Sequence, residues 1–234
     1  MDSMIDVSDV DFIDYGCKFG GSFSIGHQLG GKSGLGFDIR PEVVEEAVRR
    51  GHRAVVGDAR ELAIPDKSVR FSIMSHFLEH LPDLTSVEQA IATALRVSTD
   101  GIYLRGPMFD DEYLAQYGLK TYWSDWTGHP CHVTDKQVES ILTKLGVEPS
   151  SYRIRWVRRI RNSGSRTIHP LDSPKDQQYY NAKLHPPKPR VAFTRKLYRE
   201  WICIVALNND PRLFSELYPG NLFLRTLAKC GYDL

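Results

Sequence analysis

Phe12-Ile13-Asp14-Tyr15-Gly16-Cys17-Lys18-Phe19-Gly20-Gly21-Ser22 is the stretch on which the reading of this chain turns. A short β-prone run ends in a loop with three glycines, and from Ser22 onward the chain can enter a helix. A backbone that turns sharply from strand to helix over glycines lets a ligand approach the main chain, because a side chain there would stand in its way. Asp38 follows Asp14 by 24 residues and closes a second β-prone run, Leu35 to Ile39. An acid at that place can accept hydrogen bonds from both ribose hydroxyls of an adenosine.

Outward from this loop, strand and helix alternate. Arg40-Pro41 stops the second strand, and Pro41 suits the first turn of a helix through Arg50, with Val43, Val44, Ala47 and Val48 on its apolar face. Ala54 to Asp58 and Val69 to Ser75 read as the third and fourth strands, and Gly101 to Arg105 as the fifth, after a helix from Ser86 to Val97. Parallel strands need crossovers, and those crossovers are right-handed. The pattern therefore predicts an α/β fold: a Rossmann-like doubly wound sheet of about seven mostly parallel strands with helices on both faces. Val147 to Arg161 and Arg199 to Leu207 supply the two strands that finish it.

Two features are added to that plan. From about 108 to 132 the rhythm breaks, with Tyr113, Tyr117, Tyr122, Trp123 and Trp126 in an insertion that reads either as an aromatic wall for a substrate or as the insertion's own core. Thr134 then caps a helix over Asp135 to Leu145. The second feature is a basic carboxy-terminal extension. Net charge is only +1, yet residues 151 to 200 hold thirteen Lys/Arg against three Asp/Glu. Such a segment attracts a phosphorylated, nucleic-acid or membrane-surface partner, or neutralises the acidic body within the fold or across a homodimer. Arg153, Arg155, Arg159 and Arg161 share one parity along a strand, a row that either grips an anion or faces solvent at a sheet edge. Residues 1 to 150 are read as the core with its insertion, and 151 to 234 as strands and extension completing the same domain.

With 41% hydrophobic and 25% charged residues the composition is that of a globular protein. Met1 to Asp6 lack the basic start and apolar run of a signal peptide, and no apolar stretch approaches the roughly 20 residues of a membrane span. A soluble, cytoplasmic protein is expected. Cys17, Cys131, Cys203 and Cys230 form no CxxC pair, so neither a disulfide framework nor a zinc site is predicted.

The loop does not fit the Gly-x-Gly-x-x-Gly of dinucleotide-binding proteins. Asp14-Tyr15-Gly16-Cys17-Lys18-Phe19-Gly20 instead resembles the first motif of class I S-adenosylmethionine-dependent methyltransferases, acid-x-Gly-x-Gly-x-Gly, and departs from it at Lys18. Gly36-Phe37-Asp38-Ile39, Gly57-Asp58-Ala59 and Ser75-His76-Phe77-Leu78-Glu79-His80-Leu81 follow in the family's order. The resemblance implies S-adenosylmethionine as cofactor. It places Asp14, Gly16, Cys17 and Gly20 around the methionine moiety, Asp38 and Ile39 at the ribose, Asp58 and Ala59 at the adenine, and His76 beside the sulfonium. Lys18 is expected to point outward, since a cation facing a sulfonium is unfavourable.

For the chemistry, methyl transfer from a sulfonium is largely a matter of positioning, and a base is needed only for a poor nucleophile such as a hydroxyl. His129 and His132 are the candidate bases. His129-Pro130-Cys131-His132 has its potential ligands too close together, with no distant partner evident, and no metal is expected. Glu79 and His80 read as the structural start of a helix. The acceptor expected is a small molecule bearing a phosphate or a sugar, methylated on a hydroxyl. RNA methylation and a non-catalytic cofactor-binding subunit are the alternatives.

Overall fold

The computed structural model describes residues 4–208 and 212–213. Its elements run β1 (Phe12–Tyr15), α1 (Phe23–Gln28), β2 (Gly34–Asp38), α2 (Pro41–Arg49), β3 (Ala54–Val56), β4 (Val69–Ser75), α3 (Leu84–Val97) and β5 (Ser98–Pro107). There follow α4 (Asp111–Ala115), β6 (Leu119–Thr121), α5 (Asp135–Lys144), β7 (Tyr152–Asn162), β8 (Ile168–Pro170) and β9 (Ala192–Ala206). Seven strands form one sheet in the order β3-β2-β1-β4-β5-β9-β7. β9 alone runs antiparallel to its neighbours. The order reverses between β1 and β4, so the loops leaving those two strands diverge and open a crevice at the carboxyl edge of the sheet.

Alternation along the central strands sends side chains to two cores. Met74, Ile102, Leu104, Trp201 and Cys203 join Val87, Ile91, Val138 and Leu142 of α3 and α5 on one face. Phe71, Ile73, Tyr103, Ile202 and Ile204 join Phe23 of α1 on the other. Both faces are covered, which is why β1 and β2 are buried along their whole length.

Element boundaries differ from the sequence expectation where a local group overrides periodicity. α3 starts at Leu84 and not at Ser86, because Asp83 Oδ1 accepts the Ser86 amide at 2.8 Å and caps the helix. Leu78–His80 is a separate 3-10 turn, not the start of α3: Leu81 precedes Pro82 and is held extended, which breaks the helix between them. For α5 the Thr134 cap is present and is reciprocal, with the Gln137 side chain accepting the Thr134 amide at 2.8 Å.

The aromatic insertion is not self-contained. β6 pairs with β8, fifty residues further on, in a second, two-stranded sheet. Leu114, Leu119 and Trp123 are buried there with Ile160, Ile168 and Leu197, and Tyr113, Tyr117 and Tyr122 pack against them. Four of the five insertion aromatics thus serve a core; the fifth, Trp126, lines the crevice. β7 is an edge strand, and no described helix is long and apolar enough to cross a membrane.

Candidate functional site

The loop after β1 holds its shape through left-handed residues. Gly16 has φ +62°, and a Cβ there would lie 2.4 Å from the Phe77 ring; Gly20 has φ +83°, with the His52 ring 2.1 Å from a would-be Cβ. Lys18, where the family has glycine, is also left-handed at φ +48°. It is exposed but borders both clefts described below, and its amide donates to Asp38 Oδ2 at 3.2 Å, tying the loop to the end of β2. Cys17 packs its thiol among Phe12 and Phe23, from where Sγ donates to the Lys18 carbonyl at 3.8 Å, and its amide donates to the Phe37 carbonyl at 2.9 Å. Burial pushes that thiol up to about 12.

Asp14 is fully buried. Its Oδ2 accepts from Ser22 Oγ at 2.6 Å, while Oδ1 has no partner among the described residues. Burial, only partly offset by Ser22, pushes its carboxyl up to about 7. An orphaned buried carboxylate oxygen beneath a glycine loop fits a ligand that carries a positive group.

Asp38 and Asp58 end β2 and follow β3, and each holds the arginine two residues on. Arg40 bonds Asp38 through its amide at 3.1 Å and its guanidinium at 3.1 and 3.3 Å. Arg60 grips Asp58 in the same manner, at 2.9 Å from the amide and from 2.5 to 3.1 Å from the guanidinium. The paired Arg60 holds the Asp58 carboxyl below its ordinary value. Around these groups lies a cleft of about 600 Å³, lined by Gly16, Asp38, Ile39, Asp58, Ala59 and His76 of the expected cofactor residues, with Phe77, His80 and Trp126 beside them. Asp14, Cys17 and Gly20 sit in or behind the loop that forms its wall.

A second cleft of about 800 Å³ shares Gly16, Lys18, His76 and His80 with the first. Its far wall carries Arg105 from β5, Arg158 from β7 and Glu200 from β9. Glu200 is buried, accepts from Arg105 at 2.6 and 3.1 Å, and accepts from Arg158 at 3.1 Å. His76, at φ +54°, stands where the clefts meet, with Nδ1 3.3 Å from Glu79 Oε1 and Nε2 3.8 Å from Glu200 Oε1. Sequence reasoning missed this group. Of the arginines in β7 it is Arg158, off the expected parity, that reaches the cleft, because a left-handed φ of +60° turns it against the alternation. Glu200 left one signal, an acid directly before the apolar run Trp201 to Ala206.

The two candidate bases part company. His132 stacks on Phe109 at 4.2 Å, bonds Asp111 Oδ2 at 2.7 Å, and lines a third cleft over α4 and α5 that shares no residue with the other two. His129 turns the opposite way, its ring 4.9 Å from that of His80, which lines the first cleft. Desolvation holds the His129 imidazole below its ordinary value.

Residues 13–104 match the family model described as "Methyltransferase domain". No curated protein matches the chain in sequence. Its fold is similar to that of a SAM-dependent methyltransferase from Archaeoglobus fulgidus, at 18% identity and TM-score 0.58, covering 84% of this chain and 85% of that one. A putative methyltransferase from Bacillus halodurans is similar at 15% identity and TM-score 0.56, over 84% of this chain and 91% of that one. A SAM-dependent methyltransferase from Methanosarcina mazei is similar at 16% identity and TM-score 0.53, over 85% and 92%. Residues 13–104 thus resemble a methyltransferase domain, and the described chain has the class I fold that it shares with solved SAM-dependent methyltransferases.

Proposed function

We propose, from the premise that the chain carries a class I S-adenosylmethionine-dependent methyltransferase domain, that it methylates a hydroxyl of a small acceptor bearing a phosphate or a sugar. The observation that carries this reading is the junction at His76: a cleft ending in carboxylates on one side, a cleft edged by Lys18, Arg50, Arg105 and Arg158 on the other. Guanidinium groups suit phosphate oxygens, with which they form paired hydrogen bonds.

S-adenosylmethionine supplies an electrophilic methyl group on a sulfonium. The chain's own residues position the partners. Asp14 Oδ1, unpartnered among the described residues, offers a carboxylate to the cofactor's amino group. Asp38 serves the ribose hydroxyls and Asp58 the adenine amino group. For this the exposed Arg40 guanidinium swings aside, and the cofactor's hydroxyls take its place on the buried Asp38 carboxylate. The Arg40 and Lys18 amides stay bonded to Asp38 and keep its carboxylate aimed. His76, held by Glu79, receives the acceptor's proton. His129 lies at the rim, and His132, in a separate cleft, has no part in this step.

We place the protein in the cytoplasm, where its buried thiols Cys17, Cys131 and Cys203 stay reduced. Calorimetric titration with S-adenosylhomocysteine, with NADH as control, tests the cofactor; labelled methyl transfer to phosphorylated sugars, against their unphosphorylated forms, tests the acceptor. Micromolar binding with transfer favouring phosphorylated acceptors is expected. Binding without transfer to any acceptor would support a non-catalytic subunit, and a steep loss of acceptor binding with salt would favour RNA.

A further inference from the structure

Glu79, His80 and His129 converge at the rim where the clefts meet. One ligating atom from each lies within 4.8 Å of the other two. Hydrogen bonding fixes which atoms face inward. A carbonyl oxygen can only accept, so His80 Nδ1 is the donor to the Gly128 carbonyl at 2.6 Å, and His129 Nδ1 the donor to the Trp123 carbonyl at 2.9 Å. In the neutral rings both Nε2 atoms then carry lone pairs. On the carboxylate, Oε1 faces His76 Nδ1 at 3.3 Å, while Oε2 is buried with no partner among the described residues.

The cluster thus offers one carboxylate oxygen without a partner among the described residues and two imidazole nitrogens that can only accept. A buried carboxylate oxygen left unsatisfied is costly, and the remedy is a shared cation or a proton. Imidazoles whose Nδ1–H is held by a backbone carbonyl have the orientation and tautomer that metal-ligating histidines have. The supporting strap is rigid: Trp123 is buried and its indole Nε1 donates to the Met108 carbonyl at 2.7 Å, while Thr127 is bonded to Asp176 at 2.7 and 2.8 Å.

We propose that Glu79, His80 and His129 form a three-ligand site for a divalent transition-metal ion of the zinc, cobalt or manganese class. Two imidazoles with one carboxylate suit these ions, whereas magnesium and calcium prefer all-oxygen shells. Three protein ligands leave coordination positions open. His80 is exposed and lines both clefts, so the open positions face the place where an acceptor's oxygen atoms would lie. The site stands on its own geometry, and only the assignment of its open positions to the acceptor rests on the methyl-transfer reading. The pair His129 and His132, too close together to make a site alone, gains its distant partners through the fold: Glu79 and His80 come from the turn after β4.

The test uses the full chain, stripped with a chelator and titrated with Co²⁺ and Zn²⁺ by calorimetry, with the visible absorption of Co²⁺ as a second readout. One equivalent is expected to bind, and Glu79→Gln and His129→Asn are each expected to weaken binding at least about tenfold while S-adenosylhomocysteine still binds. If Glu79→Gln does not fold, His129→Asn decides. Absence of stoichiometric binding, undiminished affinity in the variants, or tighter binding of Mg²⁺ than of Zn²⁺ would overturn the site. A chain that binds S-adenosylhomocysteine but no metal loses this inference alone; one that binds the metal but no S-adenosylhomocysteine loses the methyl-transfer reading and keeps the site.

Discussion

The two halves of the sheet's carboxyl edge are built by different means. Over β1, β2 and β3, the side-chain partners of the acids come from nearby in the chain, Arg40 for Asp38, Arg60 for Asp58 and Ser22 for Asp14, with the Lys18 amide on Asp38 the longer tie. Over β5, β9 and β7, the contacts bridge long stretches of chain, with Arg105 and Glu200 separated by 95 positions and Arg158 and Glu200 by 42. Local loops can be read from their turn chemistry. Ion clusters closed across strands cannot, since their partners are chosen by the order of strands in the sheet.

The sharpest way to break this comparison is to damage one half alone. Leu119 is fully buried in the small core under β6 and β8, so Leu119→Ala should cost about 2–5 kcal/mol there. Hydrogen exchange at β6 and β8 should rise while affinity for S-adenosylhomocysteine stays at its wild-type value in calorimetry. A matching loss of affinity would mean that the halves act as one unit.

Next in size is Asp38→Ala, which removes the acceptor proposed for two ribose hydroxyls and frees the Lys18 amide that ties down the loop. Affinity for S-adenosylhomocysteine should fall about 100-fold, in keeping with hydrogen bonds to a charged group at about 1.5–3 kcal/mol each. Unchanged affinity would remove Asp38 from the ribose.

Asp14→Asn sharpens the comparison through pH. An ordinary Asp titrates near 3.8 and buried Asp14 at about 7. The folded chain therefore binds more protons than the unfolded one between those values, and this group's contribution to stability is lost as pH rises from about 4 to 7. Without cofactor, the variant should be more stable than wild type at pH 8 and little changed below pH 4. Thermal unfolding at both pH values checks this, and S-adenosylmethionine should bind the variant more weakly, because the carboxylate for its amino group is gone.

The smallest effect is expected from Asp58→Ala. Asp58 is about one third exposed, and the proposed function gives it one adenine amino group to meet. Its loss should weaken binding by no more than about tenfold. A loss equal to that of Asp38→Ala would show that the two acids share the load.

Legibility followed the range of the interactions. The strand, glycine loop and helix at residues 12 to 28, the acid at the end of β2 and the Thr134 cap of α5 were all readable, each marked by its own short stretch of sequence even where, as between Lys18 and Asp38, a bond joins two of them. Boundaries slipped where two nearby signals competed, as at Asp83 against Ser86. The pairing of β6 with β8 was out of reach, because nothing in either short strand names the other.

The sequence by itself determined the alternation of strand and helix, the glycine loop after β1 and the acids at the carboxyl ends of the first three strands, because glycine turns, capping and period are local properties. Only the tertiary structure decided that Arg158 turns into the cleft against its parity, that Glu200 gathers two arginines beside His76, and that His129 meets Glu79 and His80 while His132 does not. Those meetings depend on distances set by the packing of whole elements, and no neighbour in the chain encodes them.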